Sequence, residues 1–325
     1  MIHSRACLSF VPPLLPDQTL YSWGAMFHEM SGNATVEESL VQTFALVRKG
    51  LHFHIPSHLE AFCANTQLAL GTTEDIVEIA TTLPYYTKFR SPNVTSSIMK
   101  LVRSNSSHGV AQALGMAKTA SYAHPPRRSC YQCIQADIDT FGFAYWHRDH
   151  QLPGVLICPK HGTTLLSLPY DHDSIHSETF LRPDDDWNLI DTNTHPDWPS
   201  DTLITLHRLA QLATDMARGE LMGGYSMSKM RDACLSMLIE RNLIASDDSL
   251  MVTQALHDYE NHYNSIADVP EIAMASQSSI RPLLYVLRQV DCRTHPLEWM
   301  LVIDWLFGDW TTFQERYRRV VSPNT

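Results

Sequence analysis

No stretch of this 325-residue chain approaches the ~20 uninterrupted apolar residues that a bilayer-spanning helix needs, so the sequence excludes a helical membrane span. A secretory signal is also missing, because Arg5 is followed by no sustained apolar run before Pro12 and Pro13. Cysteine is scarce, with seven in all, and Cys7, Cys63, Cys234 and Cys292 lie scattered rather than at the spacings of a disulfide framework. These absences predict a reducing compartment, the bacterial cytoplasm. The commoner catalytic signatures are absent too. There is no GxxxxGKS/T, no GxSxG and no HExxH, so NTP hydrolysis and the usual hydrolase chemistries lack their parts.

Acidic residues are missing between Glu78 and Asp137, while Lys88, Arg90, Lys100, Arg103, Lys118, Arg127 and Arg128 fall in that interval. The rest of the chain is acidic, and the formal net charge is -11. Such a balance argues against coating nucleic acid over the whole surface. It leaves a basic island suited to phosphates or an acidic partner, with Lys88, Arg90, Lys100, Arg103, Arg127 and Arg128 as candidate nucleic-acid contacts; a solvated basic linker is the competing reading.

The cysteines that are not scattered carry the main signal. Cys130-Tyr-Gln-Cys133 and Cys158-Pro-Lys-His161 are two knuckles separated by 24 residues, the ligand spacing of a closed structural zinc site. Three thiolates and one imidazole complete a tetrahedron and leave no open position for water. One Zn2+ per chain, with a structural role, is therefore expected. His147-Arg148-Asp149-His150 between the knuckles is the best enzymatic candidate, a His-based zinc-dependent nuclease, but it lacks a later Asn/His pair to complete a metal site.

Length and 44% apolar content predict several sub-domains around a real core. The chain reads as mainly α, with short strands only in the zinc module. Helices are predicted over 20–30, from a Thr35 cap to Leu46, over 57–70, and over 74–83 behind a Thr72 or Thr73 cap. The third and fourth have the punctuation of a helix-turn-helix, although EDIVEIATTL is acidic and ill-suited to a major groove; a stand-alone sequence-specific DNA-binding regulator built on this corner is one alternative function. Asp184-Asp185-Asp186 reads as a solvated loop. Beyond it, helices are predicted over 201–220, 228–243, 249–262, 278–290, 296–307 and 311–320, with Trp299, Trp305, Trp310 and Phe313 spaced for core packing. The expected organisation is 1–83 helical and helix-turn-helix-like, 84–128 basic and connecting, 129–182 a zinc-ribbon or knuckle module, and 183–325 a helical bundle.

The run from Cys130 through Asp137, then Gly142-Phe-Ala-Tyr145-Trp146-His147-Arg148-x-His150-Gln151-Leu152-Pro153-Gly154-Val155 and Cys158-Pro-Lys-His161-Gly162-x2-Leu165, resembles the TniQ/TnsD family of transposition target selectors. Pro16-Asp17-x2-Leu20-x-Ser22-Trp23 and His295-Pro296-Leu297-x-Trp299-x5-Trp305-Leu306-Phe307-Gly308 resemble its flanking helices. The resemblance implies a non-catalytic adaptor that chooses an insertion site and recruits the AAA+ regulator TnsC. One branch binds an attachment sequence in target DNA. The other docks on a CRISPR effector complex, and its members can carry a second knuckle and form homodimers. Only one Cys-x2-Cys is present here, which favours the TnsD-like side. Sequence-reading members continue into a further DNA-binding region, so an end at Thr325 reads as a truncated or naturally short form. The expected docking surface for TnsC is N-terminal: Trp23, Glu37, Glu38, Glu74 and Asp75.

Overall fold

A computed structural model describes residues 8–46, 53–54, 57–104, 110, 114, 126–168, 179–184, 197–218, 224–247, 249–276, 280–289 and 294–320. Among them the chain is mainly helical, as the spacing of its apolar residues requires.

The N-terminal part is built from short capped helices. Helix α1 (Leu20–Ser31) starts where the Thr19 hydroxyl accepts the Ser22 amide and stops at Gly32, whose φ of 68° ends the helix in the left-handed region. Thr35 caps α2 (Val36–Phe44) in the same way. Helix α3 (Leu59–Asn65) is shorter than the sequence predicts, because Gln67 and Leu68 take positive φ and the chain leaves the helix there. Helix α4 (Thr73–Ala80) opens on a capping box in which Thr72 and Asp75 satisfy each other's amides.

The stretch read as a basic connection, 84–128, holds two helices, α5 (Leu83–Thr87) and α6 (Pro92–Arg103). Tyr85, Tyr86, Ile98 and Val102 of this stretch lie in the core, so up to Arg103 it is packed protein; residues 115–125, including Lys118, lie outside the described residues.

Next come strand β1 (Arg127–Ser129), helix α7 (Tyr131–Phe141) and strand β2 (Leu166–Leu168). The two strands pair antiparallel with Arg128 opposite Ser167. The C-terminal body comprises α8 (Ser200–Ala217), α9 (Met227–Glu240), α10 (Val252–His262), α11 (Pro270–Ser276), α12 (Arg281–Leu287), α13 (Pro296–Phe307) and α14 (Trp310–Arg319). Helix α11 has no counterpart in the sequence reading, whose 278–290 helix is here only α12. Trp299, Trp305, Trp310 and Phe313 are buried, as their spacing predicts.

The N-terminal and C-terminal parts share one apolar cluster. Polar contacts cross the same seam. The Tyr85 hydroxyl donates to the Pro153 carbonyl at 3.1 Å, and the Gly154 amide donates to Glu271 Oε1 of α11 at 2.7 Å. Gly154 sits at φ 85°, and a Cβ there would stand 2.6 Å from Leu297 Cδ1, so only glycine lets this turn approach α13. No described helix is long and apolar enough to cross a membrane.

Candidate metal centre

Each donor of the two knuckles is placed by a separate local device. Cys130 is the residue before α7, at the end of β1, and Cys133 lies in the first turn of that helix, so the x2 spacing turns both sulfurs toward one point. Cys158 and His161 face them from a tight turn. In it, the Gly162 amide donates to the Cys158 carbonyl and the Cys158 amide to the Thr163 carbonyl, with Gly162 at φ 67°. The donor atoms of Cys130, Cys133, Cys158 and His161 all lie within 4.8 Å of one another. His161 Nδ1 is 3.4 Å from the sulfurs of Cys130 and Cys133 and 3.6 Å from that of Cys158, and Cys133 and Cys158 are 3.8 Å apart. The three cysteines are buried, and the group is arranged to hold one metal ion.

Three sulfurs this close cannot behave as independent thiols. Hydrogen bonds from Cys133 and Cys158 pull the Cys130 thiol far below its ordinary range, and the same contact with Cys130 pushes Cys133 up. A cation that binds here must displace the remaining thiol protons, so occupancy falls as pH falls.

His150, fully buried, lies against the cluster: its Nε2 is 3.5 Å from Cys158 Sγ and 3.8 Å from Cys133 Sγ. Burial pushes its imidazole down to about 3, so it is neutral at ordinary pH, with one N–H to give. His147 faces the other way. Its Nε2 is 2.9 Å from Asp137 of α7, and its Nδ1 is 3.7 Å from Asp17. Burial opposes its charge, yet hydrogen bonds to Asp137 and Asp17 outweigh burial and hold the imidazole up at about 9. The motif histidines therefore serve different neighbours and do not converge on one ion. Arg148 completes the cage, 3.3 Å from Asp17, and donates to the Glu78 carbonyl of α4. Asp149 pairs with Arg218 at 3.0 Å, tying the knuckle loop to the end of α8.

The remaining sequence-predicted residues do not form one surface. Lys88 is buried and donates to the Arg218 carbonyl at 3.0 Å, and Arg90 is buried with a bond to the Leu114 carbonyl at 2.9 Å. Arg127 is buried with its guanidinium 5.0 Å from the Tyr21 ring centroid and 4.8 Å from that of Phe53. Arg128 is buried and pairs with Glu271 at 2.5 Å. These four cations, expected as nucleic-acid contacts, are buried and engaged by partners within the chain. Lys100 is exposed on α6, and Arg103 is half-exposed and paired with Glu74. Trp23, expected at a docking surface, is fully buried against Phe27 and Phe62 and donates its indole N–H to the Pro12 carbonyl. Glu37, Glu38 and Asp75 are exposed and Glu74 is half-exposed. Sequence reasoning missed Glu271, Asp17 and Asp137 as partners because each meets its cation or imidazole only in the folded chain. The His-Arg-Asp-His run was the visible signal that such partners existed.

Residues 9–165 match the TniQ family. The transposon Tn7 transposition protein TnsD of Escherichia coli is 26% identical over 162 residues, covering 48% of this chain and 29% of that protein. The chain thus matches less than a third of its relative's length. All four residues of the candidate metal centre lie inside the matched segment, so residues 9–165 are the part of the chain that resembles a TniQ domain.

Proposed function

We propose that this chain is a non-catalytic target-site selector in DNA transposition, an adaptor that connects target DNA to an AAA+ regulator of the TnsC type in the bacterial cytoplasm. The observation that carries the reading is a TniQ-like segment closed around a four-donor metal centre. Zinc is the ion that suits it. Ideal tetrahedral bonds to thiolate and imidazole set S···S and S···N edges of about 3.8 and 3.6 Å, beside the 3.8 and 3.4–3.6 Å seen here. A centre whose four positions are all filled by protein holds segments together and leaves no place for an activated water. The engagement of His147 by Asp137 and Asp17 likewise weighs against a nuclease.

A TnsD-like mode, with DNA as the direct target, is preferred to docking on a CRISPR effector because a TnsD protein is the relative found and one Cys-x2-Cys is present. The helix-turn-helix regulator is the weaker reading. Helix α4 presents Glu74, Asp75 and Ile79 outward, and its acids would repel phosphates. The same acids, with Glu37 and Glu38 of α2, remain the proposed contact for a basic face of the ATPase.

The test is reconstitution. Purified chain, target duplex and an AAA+ regulator of the TnsC type are mixed, and regulator retained on the duplex is measured with and without the chain. Retention that depends on the chain is expected; equal retention without it would overturn the proposal.

A further inference from the structure

Four cations of the central island, Lys88, Arg90, Arg127 and Arg128, are spent inside the fold, whereas a group of cations gathers on three helices of the C-terminal body. Lys229 and Arg231 sit in the first turns of α9, Arg288 follows α12, and Arg316, Arg318 and Arg319 end α14. Helix α9 packs against both α12 and α14. Its N-terminal end joins the three segments: Lys229 Nζ is 5.8 Å from the Tyr317 ring centroid on α14, and Arg231 Nε donates to the Leu287 carbonyl, next to Arg288, at 3.3 Å.

The acids on these helices are already matched. Asp232 pairs with Arg231, Glu240 with Arg316 and Glu315 with Arg319. Lys229, Arg288 and Arg318 have no carboxylate partner among the described residues, and both arginines are exposed. The N-terminus of α9 adds its own partial positive charge. The Ser226 and Ser228 hydroxyls, 2.9 Å apart, stand at that terminus. A molecule with a net charge of -11 therefore keeps a group of uncommitted cations on one side of its C-terminal body.

We infer that this face, centred on Lys229, Arg288 and Arg318, contacts the phosphate backbone of duplex DNA. Five of the six cations are arginines, whose planar guanidinium groups match phosphate oxygens in pairs. Hydroxyls beside them supply the neutral donors that backbone contacts also use. The choice of DNA as the polyanion rests on the target-selector reading, whereas the position of the face rests on the cations alone.

The experiment measures binding of the full chain to a fluorescein-labelled 30-base-pair duplex of arbitrary sequence across a salt series. The triple variant Lys229→Gln, Arg288→Gln, Arg318→Gln is compared with the control pair Lys160→Gln, Arg182→Gln, which alters cations elsewhere. Arg318→Gln alone serves as a second variant, since an exposed residue near the end of α14 can change without disturbing the fold; helicity and metal content verify this. The triple variant is expected to bind roughly 10-fold more weakly and to lose about two to three units of salt slope, one per phosphate contact. Arg318→Gln should lose about one unit. Unchanged binding in the triple variant, or an equal loss in the control pair, overturns the assignment. Equal competition by poly-L-glutamate of matched charge also overturns it, in favour of an acidic protein partner. If the duplex binds as expected while the chain recruits no AAA+ regulator, the face stands and the selector reading falls.

Discussion

Cys130, Cys133, Cys158 and His161 were legible in the sequence because a metal site is set by covalent spacing: each x2 pair lies in a single turn, and a turn is local. The roles of the charged residues were not legible. Arg127 and Arg128 read as solvent-facing in a run without acids, but whether a cation is free depends on distant partners, here Tyr21 and Phe53 for one and Glu271 for the other. His147 shows the same dependence, since its two acids lie 10 residues before it and in the N-terminal segment. The His147 charge carries a pH prediction. Its native value of about 9 lies above the ordinary 6.5, so its stabilisation is complete below about pH 6.5 and is lost as pH rises toward 9. The melting temperature of the wild type should therefore decline between pH 7 and 9, and His147→Asn should flatten that decline while lowering stability at pH 7. The neighbouring His150 acts on the thiolates. His150→Phe should hasten loss of metal to a chelator, and His150→Gln, which keeps an N–H donor, should restore part of the retention; equal rates in all three proteins would remove His150 from the account.

Helix α13 was read to the residue, Pro296–Phe307, because His295-Pro296 opens it and Gly308 closes it. Helices α3 and α12 came out shorter than the pattern suggests, and α11 was missed, since apolar spacing continues through segments whose backbone has already turned. Chain reversal at Gln67 and Leu68, two residues in left-handed conformation, has no glycine to announce it. Within α13, Asp304 is wholly buried and accepts from Arg208 at 2.7 and 2.9 Å, from Tyr263 at 2.9 Å, and lies 2.9 Å from His262. Removing it would strand these donors. Asp304→Ala should cost about 3 kcal/mol in denaturant unfolding, the usual penalty for breaking a buried pair. A loss below ~1 kcal/mol would show the network to be solvated.

For the molecule as a whole, the apolar core runs across the boundaries read from composition. A single apolar cluster runs from Leu20 to Phe313, and Glu271 closes the seam by accepting from both Arg128 and Gly154. Such a seam is invisible in sequence because neither face is apolar enough to stand out and its glutamate looks like a surface charge. Glu271→Ala leaves Arg128 buried without its ion pair and should cost about 3–5 kcal/mol. Gly154→Ala should also destabilise, by about 1–3 kcal/mol, since the added methyl meets Leu297 at positive φ. Both variants should unfold the N-terminal and C-terminal parts together, with tryptophan fluorescence and circular dichroism moving at one midpoint; two separated midpoints would show independent units. What the seam and the helices around it organise is the candidate metal centre, on which the adaptor reading rests together with the TniQ match. Elemental analysis of the purified, folded chain tests it most directly. One zinc per chain, absent from Cys133→Ser together with its cooperative melting, is the expected result. Fully folded chain with no bound zinc and an unaltered melt in Cys133→Ser would contradict the account.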